Sequence, residues 1–357
     1  MLDIAQQRLY NQQIAQPRLH TPAEVVGWLG AIQGQDYTGA KWSIGLRLPG
    51  STDAEIEQAI AGQQILRTWL MRGTLHLAAA MDVRWMLELF GQRQIAQSQR
   101  RYRELELEEP ILKRSSEILV EALAGGKQLT RRQLLPILEA NGISNEGQRG
   151  IHMLQRASLE GLIVQTVAKG NNDSTFMLLD EALPDAPTLS RDAALAELVY
   201  RYFTSRGPAT LQDFAWWSGL LMVDVRAGFE AVKDQLVEAV IDGISYWYVP
   251  TTVPEPAPSP TAYAPPGFDE YLLGYKVRDV VLDPHHATKV CPGRNGIFFP
   301  TIVIDGRVVG TWKRAFKKGQ IIITTTPFEA LSDHEIDAFA TAMQHFGDYH
   351  QMPVVLG

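Results

Sequence analysis

A single cysteine, Cys291, stands among 357 residues. One thiol cannot close an internal disulfide, which fits a reducing compartment and leaves stability to the apolar core. Long apolar runs are absent as well. None reaches the roughly 18 residues of a membrane-crossing helix, and the opening MLDIAQQRLYNQQ lacks the basic-then-apolar order of a secretory signal. A cytoplasmic protein without a membrane is expected. The chain has no Gly-rich phosphate loop, no nucleophile-elbow pattern and no paired-carboxylate signature. Asp283, His285, His286 and Cys291 lie near one another, but at no common zinc spacing. No metal and no cofactor is therefore expected. Excess positive charge is missing too: 33 Lys and Arg stand against 40 Asp and Glu, a formal charge of −7. That opposes nonspecific attraction to nucleic acid, although a polyanion responds to the local field along a groove and not to the total.

What is present is the composition of a folded protein, 45% hydrophobic with eight Trp. The length suggests two to three domains. Charge is unevenly placed. Arg93, Arg100, Arg101 and Arg103 cluster, nine Lys and Arg fall between 276 and 318, and Glu104, Glu106, Glu108 and Glu109 form an acidic run.

One order of signals recurs along the chain. Thr130 with Gln133 reads as a capping box, and Asn141-Gly142 closes the short helix it opens. Ser144 is read as the cap of a second helix with Ile151, Leu154, Ala157 and Ser158 on one face, ended by Gly161. Residues 162–167 and 175–178, joined by the polar turn 169–174, then form a hairpin. Helix, turn, helix, hairpin is the order of a winged helix. It returns after an amphipathic helix at 191–206: Thr210 with Asp213 caps a short helix through Trp216-Trp217, another helix covers about 224–234, and Asp242-Gly243 closes a tight hairpin. At the N-terminus Thr21-Pro22 with Glu24 starts a helix, Thr52 with Glu55 starts another, and residues 65–76 form a hairpin turning at Arg72-Gly73. Seven prolines in 250–266 mark a stiff linker. Short strands with Asp305-Gly306 as a turn follow, then a helix at 332–346 capped by Ser332 with Glu335.

The expected fold class is α+β: three tandem winged-helix motifs and a small C-terminal β-barrel-like domain. The expected boundaries are 1–125, 126–190 and 191–249 for the three units, 250–266 for the linker and 267–357 for the β-rich domain. This order by itself points to duplex DNA.

Four segments carry a resemblance that spans nearly the whole chain. RTWLMRGTLH (67–76), GPATLQDFAWWSG (207–219), FDEYLLGY (268–275) and NGIFFPTIVIDG (295–306) resemble, in order, the AlkZ-like DNA glycosylases. The resemblance implies a C-shaped molecule around a basic channel. It also implies excision of N7-alkylated purines, including unhooking of interstrand crosslinks. The family's catalytic signature is Gln, an aliphatic residue, then Gln, or Gln-x-Asp in a second branch. Gln33 and Gln35 hold the two outer positions, and Gly34 stands where the aliphatic residue is found.

Two glutamines can be enough for this chemistry. An N7-alkylated purine already carries positive charge and departs without a general acid. A neutral amide can then hold the attacking water and set its carbonyl dipole against the charge developing on the sugar. In an extended segment the side chains of Gln33 and Gln35 point the same way and Asp36 the other way. Gln35 is read as the water-positioning residue and Gln33 as its partner. A lyase step would rest on Lys41, the nearest lysine, so a monofunctional enzyme is expected. Arg72 and His76 at the first wing, and Lys276, Arg278, Lys313 and Arg314 beyond the linker, are the candidate DNA contacts. Each also has a plain reading, a turn arginine, a strand histidine or a solvated face. Trp216-Trp217 is read as core packing. The expected partner is damaged or crosslinked double-stranded DNA, bound by a monomer that is nucleoid-associated when on DNA. The alternatives are a noncatalytic winged-helix regulator and an interaction protein that kept the fold.

Overall fold

The computed structural model describes residues 2–167, 174–252, 257–293 and 296–357. Most of the 169–174 turn, four residues of the proline-rich linker, and Arg294 with Asn295 lie outside the described residues. The fold is mixed α+β, and contacts divide it into two compact units. One unit joins residues 1–56 to 196–357, and the other is 57–195. By contact, then, the chain parts after Ile56, within the stretch 1–125 that the sequence treats as one.

The first unit begins with helices α1 (Ile4–Asn11) and α2 (Pro22–Leu29), the two-residue strand β1 (Ile32–Gln33) and helix α3 (Tyr37–Leu46). The α2 start carries the full capping box, with Glu24 reaching back to the Thr21 amide. Helix α4 (Asp53–Ala61) leads out of this segment, with Thr52 Oγ1 accepting from Glu55 N at 3.3 Å.

The second unit contains strands β2 (Ile65–Leu70) and β3 (Thr74–Ala79), helices α5 (Ala80–Glu104) and α6 (Glu109–Leu123), strand β4 (Leu129–Thr130), helices α7 (Arg131–Ala140) and α8 (Arg149–Leu159), strands β5 (Ile163–Val167) and β6 (Ser174–Leu178) and the short helix α9 (Leu179–Ala182). The two hairpins merge, because Arg67 of β2 pairs with Gln165 of β5. The sheet in this unit thus runs β3-β2-β5-β6-β4. One core, including Trp69, Tyr102, Leu119, Leu138, Leu154 and Phe176, fills it. The Thr130 cap forms as read. The Ser144 cap does not: Gly147 adopts a left-handed backbone (φ 60) that interrupts the turn, and α8 starts at Arg149.

The chain returns through α10 (Arg191–Arg206) to α11 (Leu211–Ser218), α12 (Met222–Val232) and the hairpin β7 (Val237–Ile241) with β8 (Ile244–Tyr248). Asp242 and Gly243 both take positive φ, as a two-residue hairpin turn demands. Just before α11, Ala209 bridges to Trp247 of β8. In the other unit β4, just before α7, pairs with β6 in the same way. Two separate stretches therefore share one plan: a short strand, two helices, and a hairpin whose last strand pairs with the first.

Beyond the linker come β9 (Ala262–Tyr263), the turns of helix α13 (Glu270–Leu273) and α14 (Ala287–Val290), strands β10 (Thr301–Ile304), β11 (Arg307–Lys317) and β12 (Gln320–Pro327), helix α15 (Asp333–His350) and β13 (Val354–Leu356). They build a five-stranded sheet in the order β13-β12-β11-β10-β9, antiparallel except for β13. Helix α15 extends four residues past the expected end, and its Phe346 packs edge-on against Trp312 of β11 and Trp42 of α3. Among the described residues no helix is long and apolar enough to cross a membrane.

Candidate active site

Gly30 ends α2 with a positive φ of 74, a sign that glycine takes without strain, and turns the chain into Ile32–Gln33. The next three residues form the segment of interest. Gln33 is buried, 5% exposed, while Gln35 is open to solvent. Alternation puts the two side chains on one side, and they meet: Gln33 Nε2 donates to Gln35 Oε1 at 2.5 Å. That bond fixes which way the Gln35 amide faces. Its carbonyl oxygen keeps a second lone pair, and its own NH2 is a donor, so it can both accept from and donate to a water. Gly34 between them is buried and is not among the glycines with a left-handed backbone. The backbone itself therefore does not require glycine there.

Asp36 ends the segment and starts α3. One carboxylate oxygen, Oδ1, accepts from Gly39 N at 3.1 Å, a helix cap. The carboxylate also faces Arg314 of β11, whose Nη2 lies 3.1 Å from Oδ2 and 3.3 Å from Oδ1. Both carboxylate oxygens are thus engaged, which holds the group at the helix start and beside the arginine. Lys41, one turn along α3, has its ammonium 2.9 Å from Asp53 Oδ2 and a side chain only 7% exposed. Tyr349 OH donates to the other Asp53 oxygen at 3.3 Å.

Helix α3 is itself held from below. Arg47 makes a two-pronged pair with Asp269, Nη1 to Oδ2 at 2.8 Å and Nη2 to Oδ1 at 2.9 Å, and both side chains are buried. Burial alone would raise the Asp269 pKa. The Arg47 charge and its hydrogen bonds, with those of Ser43 and the Tyr271 amide, instead hold it below the ordinary carboxylate range. Trp42 Nε1 donates to the Ala264 carbonyl at 2.9 Å. These contacts set the axis of the helix that Asp36 caps.

The other sequence candidates are placed as follows. Arg72 sits half-buried in the three-residue turn between β2 and β3, where Met71 and Gly73 take positive φ. Gln94 of α5 donates to the Met71 carbonyl and supports that turn from beneath. His76 is deeper than a half-buried strand position: it is 1% exposed, with Nδ1 2.9 Å from the Thr74 carbonyl oxygen. Lys276 and Lys313 are exposed. Arg278 is stacked against the rings of Trp216 and Phe298, each 4.8 Å away, and its Nε donates to the Leu272 carbonyl. The adjacent tryptophans divide: Trp217 is core, donating to Glu270 at 2.9 Å, whereas Trp216 is half-buried beside Arg278. Asp283 caps its own short turn through His285 N, and His286 packs on Phe328. Sequence reading missed two features. The Asp36 cap was visible as an acidic residue ahead of a helical run, but its partner Arg314 lies 278 residues away with no local signal. Asp53, the partner of Lys41, was hidden inside an ordinary helix start.

A family model described as DNA glycosylase AlkZ-like matches residues 26–349. The chain is a DNA glycosylase belonging to the AlkZ-like family. The interstrand DNA cross-link repair glycosylase of Streptomyces sahachiroi is 27% identical over 336 residues, covering 89% of this chain and 88% of that protein. The solved structure of Streptomyces sahachiroi DNA glycosylase AlkZ matches with a TM-score of 0.79 over 99% of this chain and 98% of its own. At 24% identity the structural match speaks to the fold alone.

Proposed function

We propose that the protein is a monofunctional glycosylase that hydrolyses the N-glycosidic bond of N7-alkylated purines in duplex DNA and accepts interstrand crosslinks. The observation that carries this is the amide pair: Gln33 orients Gln35, and Gln35 faces solvent. A cationic base leaves without a proton donor, so what the site must supply is an aimed water and a dipole for the sugar cation. Gln35 supplies both, and Gln33 keeps it in register. Asp36 and Lys41, engaged with Arg314 and Asp53, are left out of the chemistry. The name of the Streptomyces relative supports crosslinks as substrates.

Duplex DNA is held, in this reading, by three winged-helix motifs within 1–125, 126–190 and 191–249 and by the barrel-like domain 267–357 beyond the 250–266 linker. The shared strand, helix, helix, hairpin plan supports the second and third motifs. Lys276 and Lys313 are the phosphate contacts best supported by exposure, with Arg72 at the first wing. His76 and Arg278 act from beneath, shaping the surfaces on which these sit. The protein works as a monomer in the cytoplasm, on the nucleoid.

The test is a duplex carrying N7-methylguanine or an N7-linked crosslink, scored for alkali-labile abasic sites. Gln35→Ala is expected to lower single-turnover excision about 10²–10³-fold with duplex binding retained. Wild-type protein that binds the duplex and releases no base would favour a noncatalytic DNA-binding role.

A further inference from the structure

The Gln33–Gln35 segment is fixed at both ends. At one end Gln33 is buried. At the other, Asp36 takes a hydrogen bond from Gly39 N and two contacts from Arg314. Gln35 lies between them, one Cα step of 3.8 Å from Asp36, and any rotation of the Asp36 backbone carries the Gln35 amide with it. The arginine that holds Asp36 is not a typical phosphate contact. Its side chain is 15% exposed, and its charge is already met by a carboxylate, while the preceding residue, Lys313, is exposed. Gly39 adds a separate observation: a Cβ there would lie 2.5 Å from Asp36 Oδ2 and 2.9 Å from its carboxyl carbon. The helix start has thus been left open for this carboxylate in this orientation.

We propose that Arg314 is a positioning residue for base excision: by pairing with Asp36 it fixes the start of α3 and so the direction in which Gln35 aims its water. The pairing also neutralises the carboxylate nearest to the amides, which keeps the site a neutral one that responds to an already cationic base. This role rests on the reading of Gln35 given above. It differs from the simpler assignment of Arg314 to a DNA phosphate, which would act on affinity and not on the bound rate.

The variants Arg314→Gln, Arg314→Lys, Asp36→Asn and the double change Asp36→Asn with Arg314→Gln separate these roles. Single-turnover excision is measured at saturating protein, and affinity for the same undamaged duplex is measured apart. Asp36→Asn retains a good helix cap, so loss of folding is not expected from it, and melting temperature verifies this. Expected are a fall of about 10–10²-fold in the saturated rate for Arg314→Gln, affinity within about twofold of wild type, and partial recovery with Arg314→Lys. The double variant is expected to be no worse than the worse single one, since both changes break the same contact. Gly39→Ala, which forces the carboxylate aside without touching any charge, is expected to lower the rate in the same way. A tenfold or greater loss of affinity with the saturated rate unchanged would overturn the proposal in favour of a phosphate contact. Unchanged rates in both single variants, or a loss confined to Asp36→Asn, would overturn it as well. Wild-type protein inactive on every N7 lesion sinks the excision reading and this role together, whereas an active wild type with unaffected variants sinks this role alone.

Discussion

Lys41 is the residue on which a lyase step would depend, and its ammonium is committed to Asp53 in a nearly closed setting, above the ring of Tyr37 at 5.2 Å. An imine-forming lysine must present an accessible nitrogen to the sugar, and this one is buried against a carboxylate. Borohydride added during turnover is therefore expected to trap no protein–DNA adduct, and the products are expected to be free base and an intact abasic strand. A trapped adduct that vanishes in Lys41→Met would show a bifunctional enzyme instead. Gln33 differs from Gln35 in exposure, and so in expected effect. Because it acts on Gln35 through the Nε2–Oε1 hydrogen bond, Gln33→Ala should cost less than Gln35→Ala, about tenfold for the roughly 1.4 kcal/mol of a lost neutral bond. Equal losses in both would mean that Gln33 touches substrate directly. The alternation of two amides was legible in the chain, because it needs only an extended backbone. Their contact partners were not, since Asp36, Arg314 and Asp53 find one another only after folding.

Among the elements, α5 and α8 pack closely enough to depend on a missing side chain. A Cβ on Gly91 would fall 2.2 Å from the Leu159 carbonyl oxygen, a backbone atom that cannot swing away. Gly91→Ala is expected to destabilise the protein by about 1–3 kcal/mol, read as a lower denaturant midpoint with excision chemistry otherwise intact. Helix α15 carries a pH-sensitive residue. His350 lies among Phe316, Phe346 and Tyr349, and burial pushes its pKa down to about 4, with Arg314 and Lys41 pushing the same way and Asp53 opposing. A histidine kept neutral in the fold takes up a proton more readily when unfolded. Its contribution is complete above its ordinary pKa of 6.5 and is lost as pH falls from there toward about 4. The melting temperature should drop between pH 7 and pH 5, by a few degrees at most. His350→Leu should flatten that slope, and an unchanged slope would show that other groups set it. The capping boxes at Thr21, Thr130, Thr210 and Ser332 all formed where the pattern placed them, because a cap is settled within four residues. The exception, Ser144, failed to a glycine three residues on whose backbone sign no pattern announces.

For the molecule as a whole, the first unit is discontinuous in sequence, and buried ion pairs join its parts. Arg47 reaches Asp269 across 222 residues, and Arg206 reaches Glu270 at 2.6 Å with Trp217 as a further donor. Removing one partner of a buried pair leaves a charge with no water and no counterion. Asp269→Ala is expected to cost about 3–5 kcal/mol, enough to prevent purification of a folded chain or to lower its melting point sharply. Asp269 titrates below its ordinary 3.8, so its stabilisation is present above that pH and disappears as pH falls through the depressed value. The part of this unit's stability that depends on Asp269 should therefore be lost only below about pH 4, beneath the range in which His350 of the same unit acts.

The chain by itself determined the local grammar: caps, tight turns, the helix–helix–hairpin order, the lack of a disulfide, and two amides on alternate positions. Each of these is a matter of a few neighbouring residues and their backbone preferences. Only the tertiary structure decided that residues 1–56 belong with 196–357, that Asp36 answers to Arg314 and Lys41 to Asp53, and that the adjacent tryptophans have different surroundings. Those choices depend on which side chains the folded backbone brings within a few ångströms, and no spacing along a sequence encodes a partner such as Arg314, 278 residues from Asp36.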